Sequence, residues 1–110
     1  MVESRQNILT GTLDMLILKT LSLAPMHGLG ISRRIEQITD GVFQVKPGSL
    51  FPALHRMEQE GWIEGEWGES ENNRRAKFYR LTAAGSSRLG EEREGWTLLV
   101  ATIGQVLEAS

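Results

Sequence analysis

The sequence predicts a mainly α fold of the α+β class, in which three helices precede a β-hairpin and a long helix follows it. Two segments indicate this order. Residues 46–63 enter a short helix through Pro-Gly, reach Gly61 and run directly into a strand. Residues 74–82 form a basic strand that ends where another helix begins. A helix, a hairpin and a basic hairpin tip together predict a winged helix-turn-helix, an architecture used chiefly to bind DNA.

The first predicted helix covers residues 12–24. Thr10 or Thr12 fits its N-cap, because a threonine hydroxyl can accept a hydrogen bond from the first turn. Pro25 ends the helix, because the residue before a proline avoids the α region. Apolar side chains recur at helical spacing along one face, namely Leu13, Leu16, Ile17 and Leu21.

The second predicted helix covers residues 29–39, after a short connection at residues 26–28. Arg33 points away from its apolar face, and the turn at Asp40 and Gly41 ends it. The apolar face consists of Ile31, Ile35 and Ile38.

The third predicted helix closes at Gly61, and Pro47 suits its first position. Pro52 leaves two alternatives open. If the helix starts at Pro47, Pro52 removes one backbone hydrogen bond to the Gly48 carbonyl, whereas a start near Ser49 makes it harmless. The side chains expected to face the core are Leu50, Leu54 and Met57.

The hairpin is predicted to have strands at residues 62–67 and 75–81, joined by the polar, turn-forming residues 68–73. Its charge is segregated although the net charge of the chain is only −2. The segregation allows two interpretations, a basic face that meets DNA or cross-strand salt bridges within the hairpin. The acidic set is Glu64, Glu66, Glu69 and Glu71, and the basic set is Arg74, Arg75, Lys77 and Arg80.

The last predicted helix is capped by Thr82 and extends nearly to Ser110. The preceding elements can close a core without its second half, yet its apolar stripe continues. A stripe without a partner in its own chain predicts a second chain. We therefore expect a winged helix-turn-helix DNA-binding domain at residues 8–82 and a dimerisation helix at residues 83–110. The stripe consists of Trp96, Leu99, Val100, Ile103, Val106 and Leu107.

These segments resemble the PadR family of bacterial transcription regulators over nearly the whole chain from about Leu9, and the short single C-terminal helix is similar to that of the family's smaller subfamily. The family often has tyrosine at position 51 and threonine at position 49, where this chain has Phe51 and Ser49. The resemblance implies a homodimeric repressor that binds a palindromic operator and dimerises through its last and first helices. The residues that carry it are 48–54 (Gly-Ser-Leu-Phe-Pro-Ala-Leu), 56–58 (Arg-Met-Glu), 61–63 (Gly-Trp-Ile), 74–75 (Arg-Arg), 77–79 (Lys-Phe-Tyr), 81–82 (Leu-Thr) and Gly85.

The expected DNA-binding residues lie on the outer face of the third helix and at the hairpin tip. Arg56 is expected to reach a base edge; the alternatives are a solvated arginine or a pair with Glu60. His55 could contact a base or phosphate, or lie inert on the surface. The full expected set is Lys46, Ser49, Pro52, His55, Arg56, Asn73, Arg74, Arg75 and Lys77.

Trp96 on the last helix allows a second functional hypothesis. By resemblance, some relatives stack planar ligands between subunits on a tryptophan of this helix. Trp96, with Met15 and Val100 as neighbours, is therefore a candidate site for a small planar hydrophobic effector. The alternative is that Trp96 only packs in a dimer interface.

Other functional classes find little support in the composition. The chain has no cysteine, which excludes disulfides and thiolate metal sites. Its two histidines, His27 and His55, have no carboxylates spaced to complete a metal or catalytic site, so we expect neither a cofactor nor an enzyme. No apolar run suits a signal peptide or a membrane span, which predicts a cytoplasmic protein. A winged helix that binds protein rather than DNA is the competing interpretation.

Overall fold

The computed structural model describes residues 11–110 and contains four helices and three strands in this part of the chain. The strands form an antiparallel sheet in the order β1-β3-β2. The arrangement is α+β and confirms the predicted winged helix-turn-helix. The elements are α1 (Thr12–Leu23), β1 (Met26–His27), α2 (Gly28–Ile38), α3 (Pro47–Gln59), β2 (Ile63–Glu69), β3 (Arg75–Leu81) and α4 (Ala83–Leu107).

The short strand β1 replaces what the sequence predicted to be a plain connection. Met26 and His27 pair with Tyr79 and Phe78 of β3, which adds a third strand to the hairpin. His27 also caps α2, because its Nδ1 accepts a hydrogen bond of 3.1 Å from the Gly30 N–H. Two residues are too few to show a strand period, so no sequence pattern could indicate this pairing.

The core lies between α1, α2, α3 and the inner face of the sheet. α4 contributes Leu89, near its beginning, to this core. Ile38 was expected on the buried face of α2 but is 55% exposed, because the helix ends at this residue. Of α4, only the first half therefore contributes to the core of the winged helix. The fully buried side chains are Ile17, Leu18, Ile31, Leu50, Leu54, Met57 and Ile63.

Helix ends explain how the chain turns between elements. α1 has Gly11 as its N-cap and Thr12 as its first residue, so Thr12 is not the cap; Thr10 lies outside the described residues. α3 starts at Pro47, so Pro52 lies in the helix interior. α3 ends in a Schellman motif: Gly61, with φ of 80°, donates to the Glu58 carbonyl and the next N–H to the Met57 carbonyl.

α4 begins at a firm cap and then leaves the body of the molecule. The Thr82 hydroxyl accepts from the Gly85 N–H at 3.0 Å and donates to the Gly61 carbonyl at 2.6 Å. From Trp96 onward, no other part of residues 11–110 covers the apolar stripe, and its side chains are exposed to solvent. No helix within residues 11–110 is long and apolar enough to cross a bilayer. The exposed stripe comprises Trp96, Leu99, Val100, Ile103, Val106 and Leu107, and Leu98 is exposed on the other side of the helix.

Candidate nucleic-acid interface

The outer face of α3 is polar and open, as the helical spacing predicts. Leu50, Leu54 and Met57 are fully buried, which fixes the rotation of the helix. Gly48 and Ser49 leave its N-terminal end small enough for close approach to a surface such as a DNA groove. Lys46 is exposed just before the helix. The exposed residues on the outer face of the helix are the predicted Ser49, Pro52, His55 and Arg56, together with Gln59.

A groove of about 900 Å³ separates α3 from the hairpin. We call it the wing groove, and the wing is β2, β3 and their connecting loop. Its apolar walls come from three elements: Leu29 on α2, Phe51 on α3, and Trp67 and Tyr79 on the hairpin. Four basic side chains also line it, namely Arg33, Arg74, Arg75 and Lys77. Of the predicted DNA-binding residues, the groove brings together the wing residues Arg74, Arg75 and Lys77. From α3 it contains Phe51, whereas the predicted residues Lys46, Ser49, Pro52, His55, Arg56 and Asn73 do not line it.

The wing groove contains residues that the sequence analysis did not select. Arg33 was seen only as a residue pointing away from the apolar face of α2, and Trp67 only as the end of a strand. Exposed aromatic side chains beside arginines are a typical nucleic-acid signal, and Trp67 is 57% exposed. That exposure depends on which face of the hairpin is uncovered, which composition alone does not give.

The basic residues of the hairpin differ in whether an acidic side chain already pairs with them. Arg80 pairs with Glu64 directly across the strands, as the salt-bridge interpretation predicts. Arg74 and Arg75 are exposed and have no acidic partner within residues 11–110. The Arg75 guanidinium instead stacks over the Trp67 ring, 4.7 Å from its centroid.

Lys77 lies at the edge of the wing groove but is engaged by α3. Its Nζ donates to Glu58 Oε1 at 2.9 Å, and this hydrogen bond is the main cause that raises the pKa of Lys77. The pair joins the wing to the end of α3 and is partly shielded from water. Of the predicted wing residues, Arg74 and Arg75 thus present the more available charges, while Asn73 occupies a turn position with φ of 57°.

Arg56 makes an interaction that no sequence expectation included. Its guanidinium donates to both carboxylate oxygens of Asp14 on α1, at 2.7 and 2.9 Å. The Asp14 side chain is 12% exposed and that of Arg56 is 51% exposed. The hydrogen bond to Asp14 is the main cause that raises the pKa of Arg56, with a smaller contribution from Glu60. In place of the alternative pair with Glu60, Arg56 makes a bidentate pair with a residue 42 positions away in sequence.

The candidate effector residues Met15 and Trp96 both line a shallow groove of about 370 Å³ between α1 and α4. Leu99 lines this groove, whereas Val100, expected as the third wall, does not. Residues three and four positions after Trp96 lie on opposite sides of it around the helix axis, so only one of them faces α1. Periodicity could not choose between them.

Comparisons with known proteins agree with this geometry. The sequence profile of the transcriptional regulator PadR-like family matches residues 17–91. A protein of Lysinibacillus sphaericus is 30% identical over 104 residues, which are 94% of this chain and 95% of that protein.

Two solved structures support the same assignment. A transcriptional regulator of Clostridium thermocellum has a TM-score of 0.82 at 29% identity, covering 91% of this chain and 97% of that one. A PadR-like transcriptional regulator of Bacillus cereus has a TM-score of 0.79 at 28% identity, covering 96% and 100%. Members of this family are DNA-binding transcriptional regulators and not enzymes. The chain belongs to the PadR-like family of transcriptional regulators.

Proposed function

We propose that this chain is a homodimeric repressor that acts in the cytoplasm and binds a palindromic operator through two winged helices. Residues 8–82 would read the DNA and residues 83–110 would join the two copies. The observation that carries the proposal is the wing groove, because it places Phe51 of α3 beside arginines and aromatic side chains of α2 and the wing on one surface.

The position of the wing groove suggests how the duplex lies on the protein. When α3 enters the major groove and the wing reaches the neighbouring minor groove, one sugar-phosphate strand must pass between them. The wing groove would receive this strand, with Arg33 and Arg75 directed to the phosphates and Phe51 and Trp67 to the apolar faces of the sugars. On α3, Ser49, Pro52 and His55 would face the bases, and Lys46 the backbone.

The exposed stripe of α4 supports the homodimer. Six large apolar side chains of this stripe, between Trp96 and Leu107, are exposed to solvent on a helix that projects from the core. A patch of this kind marks an interaction surface, and an identical stripe on a second copy satisfies it symmetrically. Two copies related by a two-fold axis would present two recognition helices to matching half-sites, which accounts for a palindromic operator.

The groove between α1 and α4 supports an effector site, because Met15, Trp96 and Leu99 offer apolar surface beside the dimerisation stripe. A planar hydrophobic molecule that stacks on Trp96 would need no buried polar partner. It would release the repressor only if it bound one spacing of the two wings better than the other.

Selection of duplexes from a random pool tests DNA reading and operator symmetry together. The recovered sites should be inverted repeats, and affinity should fall steeply as salt rises. Arg75→Ala should weaken binding to selected and scrambled duplexes alike and reduce the slope of log K against log salt by about one. Arg80→Ala is the matched control, because it removes the same charge from a residue already paired with Glu64.

Two outcomes would contradict the proposal. A chain that binds no duplex even at low salt is the protein-binding winged helix of the competing interpretation. Recovered sites without symmetry would contradict the palindromic operator. Transcription from a promoter that overlaps the selected site should fall when the protein is added, and a rise would contradict the repressor role.

A further inference from the structure

Within residues 11–110, two polar residues are buried, Asp14 and Thr20. Asp14 is the only one of them that carries a charge. A carboxylate taken out of water is costly unless a cation and hydrogen bonds compensate it. Arg56 supplies both, through two hydrogen bonds from one guanidinium edge. The exposed pair between Arg80 and Glu64 has no such burial.

The geometry of this pair limits how α3 can move relative to α1. Two parallel hydrogen bonds fix direction as well as distance, because the planar guanidinium matches the two carboxylate oxygens in one orientation. Apolar contacts such as those of Leu54 with the core tolerate small rotations and shifts at lower cost. Arg56 lies on the outer side of α3, so the pair fixes the helix near its DNA-facing surface rather than through its buried face.

α1 connects this pair to the rest of the molecule. The same helix packs against α4, and Met15, the residue after Asp14, lines the groove beside Trp96. A displacement of α1 would therefore reach α3 directly through the pair.

We propose that Asp14 is a positioning residue that sets the orientation of α3 on the DNA, and that Arg56 acts through Asp14 instead of reading a base. This inference rests on the proposed DNA-binding function. The pair transmits the placement of α1 and α4 to α3, and in a homodimer it fixes the separation of the two recognition helices. The pair therefore determines which half-site spacing the dimer prefers, and it does not select a particular base pair.

The test compares Asp14→Asn and Arg56→Gln with the wild-type chain on a panel of duplexes. The panel contains the selected operator, every single base-pair change in one half-site, and operators with one base pair added or removed between half-sites. Asp14→Asn keeps the shape of the side chain and removes its charge. Glu64→Gln is the matched control, because it removes the charge from the exposed pair with Arg80.

The positioning role predicts the same profile for both variants. Operator affinity should fall by about tenfold, and this loss should be spread over all half-site positions of the panel and not confined to one base pair. The preference for the wild-type spacing should weaken. Affinity for a scrambled duplex should change by less than about twofold, since the phosphate contacts of Arg74 and Arg75 remain. Glu64→Gln should behave as wild type. A loss confined to one base pair in Arg56→Gln, and absent from Asp14→Asn, would overturn the inference and assign Arg56 to base reading.

Two further readouts separate the causes of failure. If the variants unfold at a lower temperature but keep the wild-type spacing preference at a temperature where they are folded, the pair is merely structural and the inference is wrong. If the wild-type chain binds no duplex, the proposed function itself fails. If the wild-type chain binds and Asp14→Asn matches it across the panel, only the positioning role fails.

Discussion

At the scale of single residues, the basic side chains of the candidate site differ in the partners that they have within the protein. Arg56, Lys77 and Arg80 have acidic partners in Asp14, Glu58 and Glu64, so part of the hairpin and helix charge serves the fold. Arg75 has no acidic partner within residues 11–110 and stacks over the Trp67 ring instead. An arginine stacked on an aromatic ring keeps its donors directed outward, which suits it to a phosphate.

Trp67 should therefore matter for DNA affinity although it donates no charge. Trp67→Ala removes a wall of the wing groove and the surface that supports Arg75. We expect affinity for all duplexes to fall about fivefold, corresponding to about 1 kcal/mol for a cation–π contact at an exposed site. Fluorescence anisotropy with a labelled duplex measures this. Trp67→Phe should retain most of the affinity, and equal losses in both variants would contradict a stacking role.

At the scale of elements, local patterns predicted the helices and hairpin well because each has a period or a stop signal of its own. The ends of α2 and α3 followed from Asp40-Gly41 and Gly61, which adopt the positive φ values that such stops require. β1 and the Asp14–Arg56 pair were not predictable in this way. Both depend on residues far apart in sequence, and within the sequence Asp14 is only a charge that interrupts the apolar residues 13–23.

Gly85 illustrates how an element can require a glycine that looks unfavourable in sequence. It lies in the first turn of α4, where an added Cβ would be 2.0 Å from the Trp62 carbonyl oxygen and 2.8 Å from Leu81 Cδ1. Because the first of these atoms is backbone, a side chain here must push α4 away from the hairpin. Gly85→Ala should destabilise the protein by about 1–3 kcal/mol, as overpacking does.

Gly90 provides the control for this prediction on the same helix. An added Cβ at Gly90 meets nothing within 4 Å, so Gly90→Ala should stabilise the protein by about 0.5–1 kcal/mol through helix propensity. Urea unfolding of the two variants measures both effects. Similar shifts in the two variants would show that propensity outweighs the close contact with Trp62.

At the scale of the whole molecule, the extent of 58 Å along the longest axis reflects a helix that continues beyond its own core. Placing a charge in the α4 stripe should separate the proposed dimer. Ile103→Glu should give the mass of one chain by light scattering, because a carboxylate in an apolar seam costs more than the contacts it keeps. Gln105→Glu adds the same charge on the opposite side of the helix and should remain dimeric. A dimeric Ile103→Glu variant would place the interface elsewhere.

The last prediction joins the two ends of the molecule. A planar hydrophobic dye that binds beside Trp96 should quench its fluorescence in a chain carrying Trp62→Phe and Trp67→Phe, and should also lower operator affinity. The physical reason is that Met15, on the wall of this groove, directly follows Asp14, through which α1 is paired with Arg56 of α3. Operator affinity can change only by the ratio of dye affinities for the two spacings, so quenching without a change in affinity would identify a binding site that regulates nothing.

Trp96→Leu is the control, because it removes the stacking surface while keeping the seam apolar. Unchanged fluorescence and unchanged operator affinity would leave Trp96 as a packing residue of the dimer.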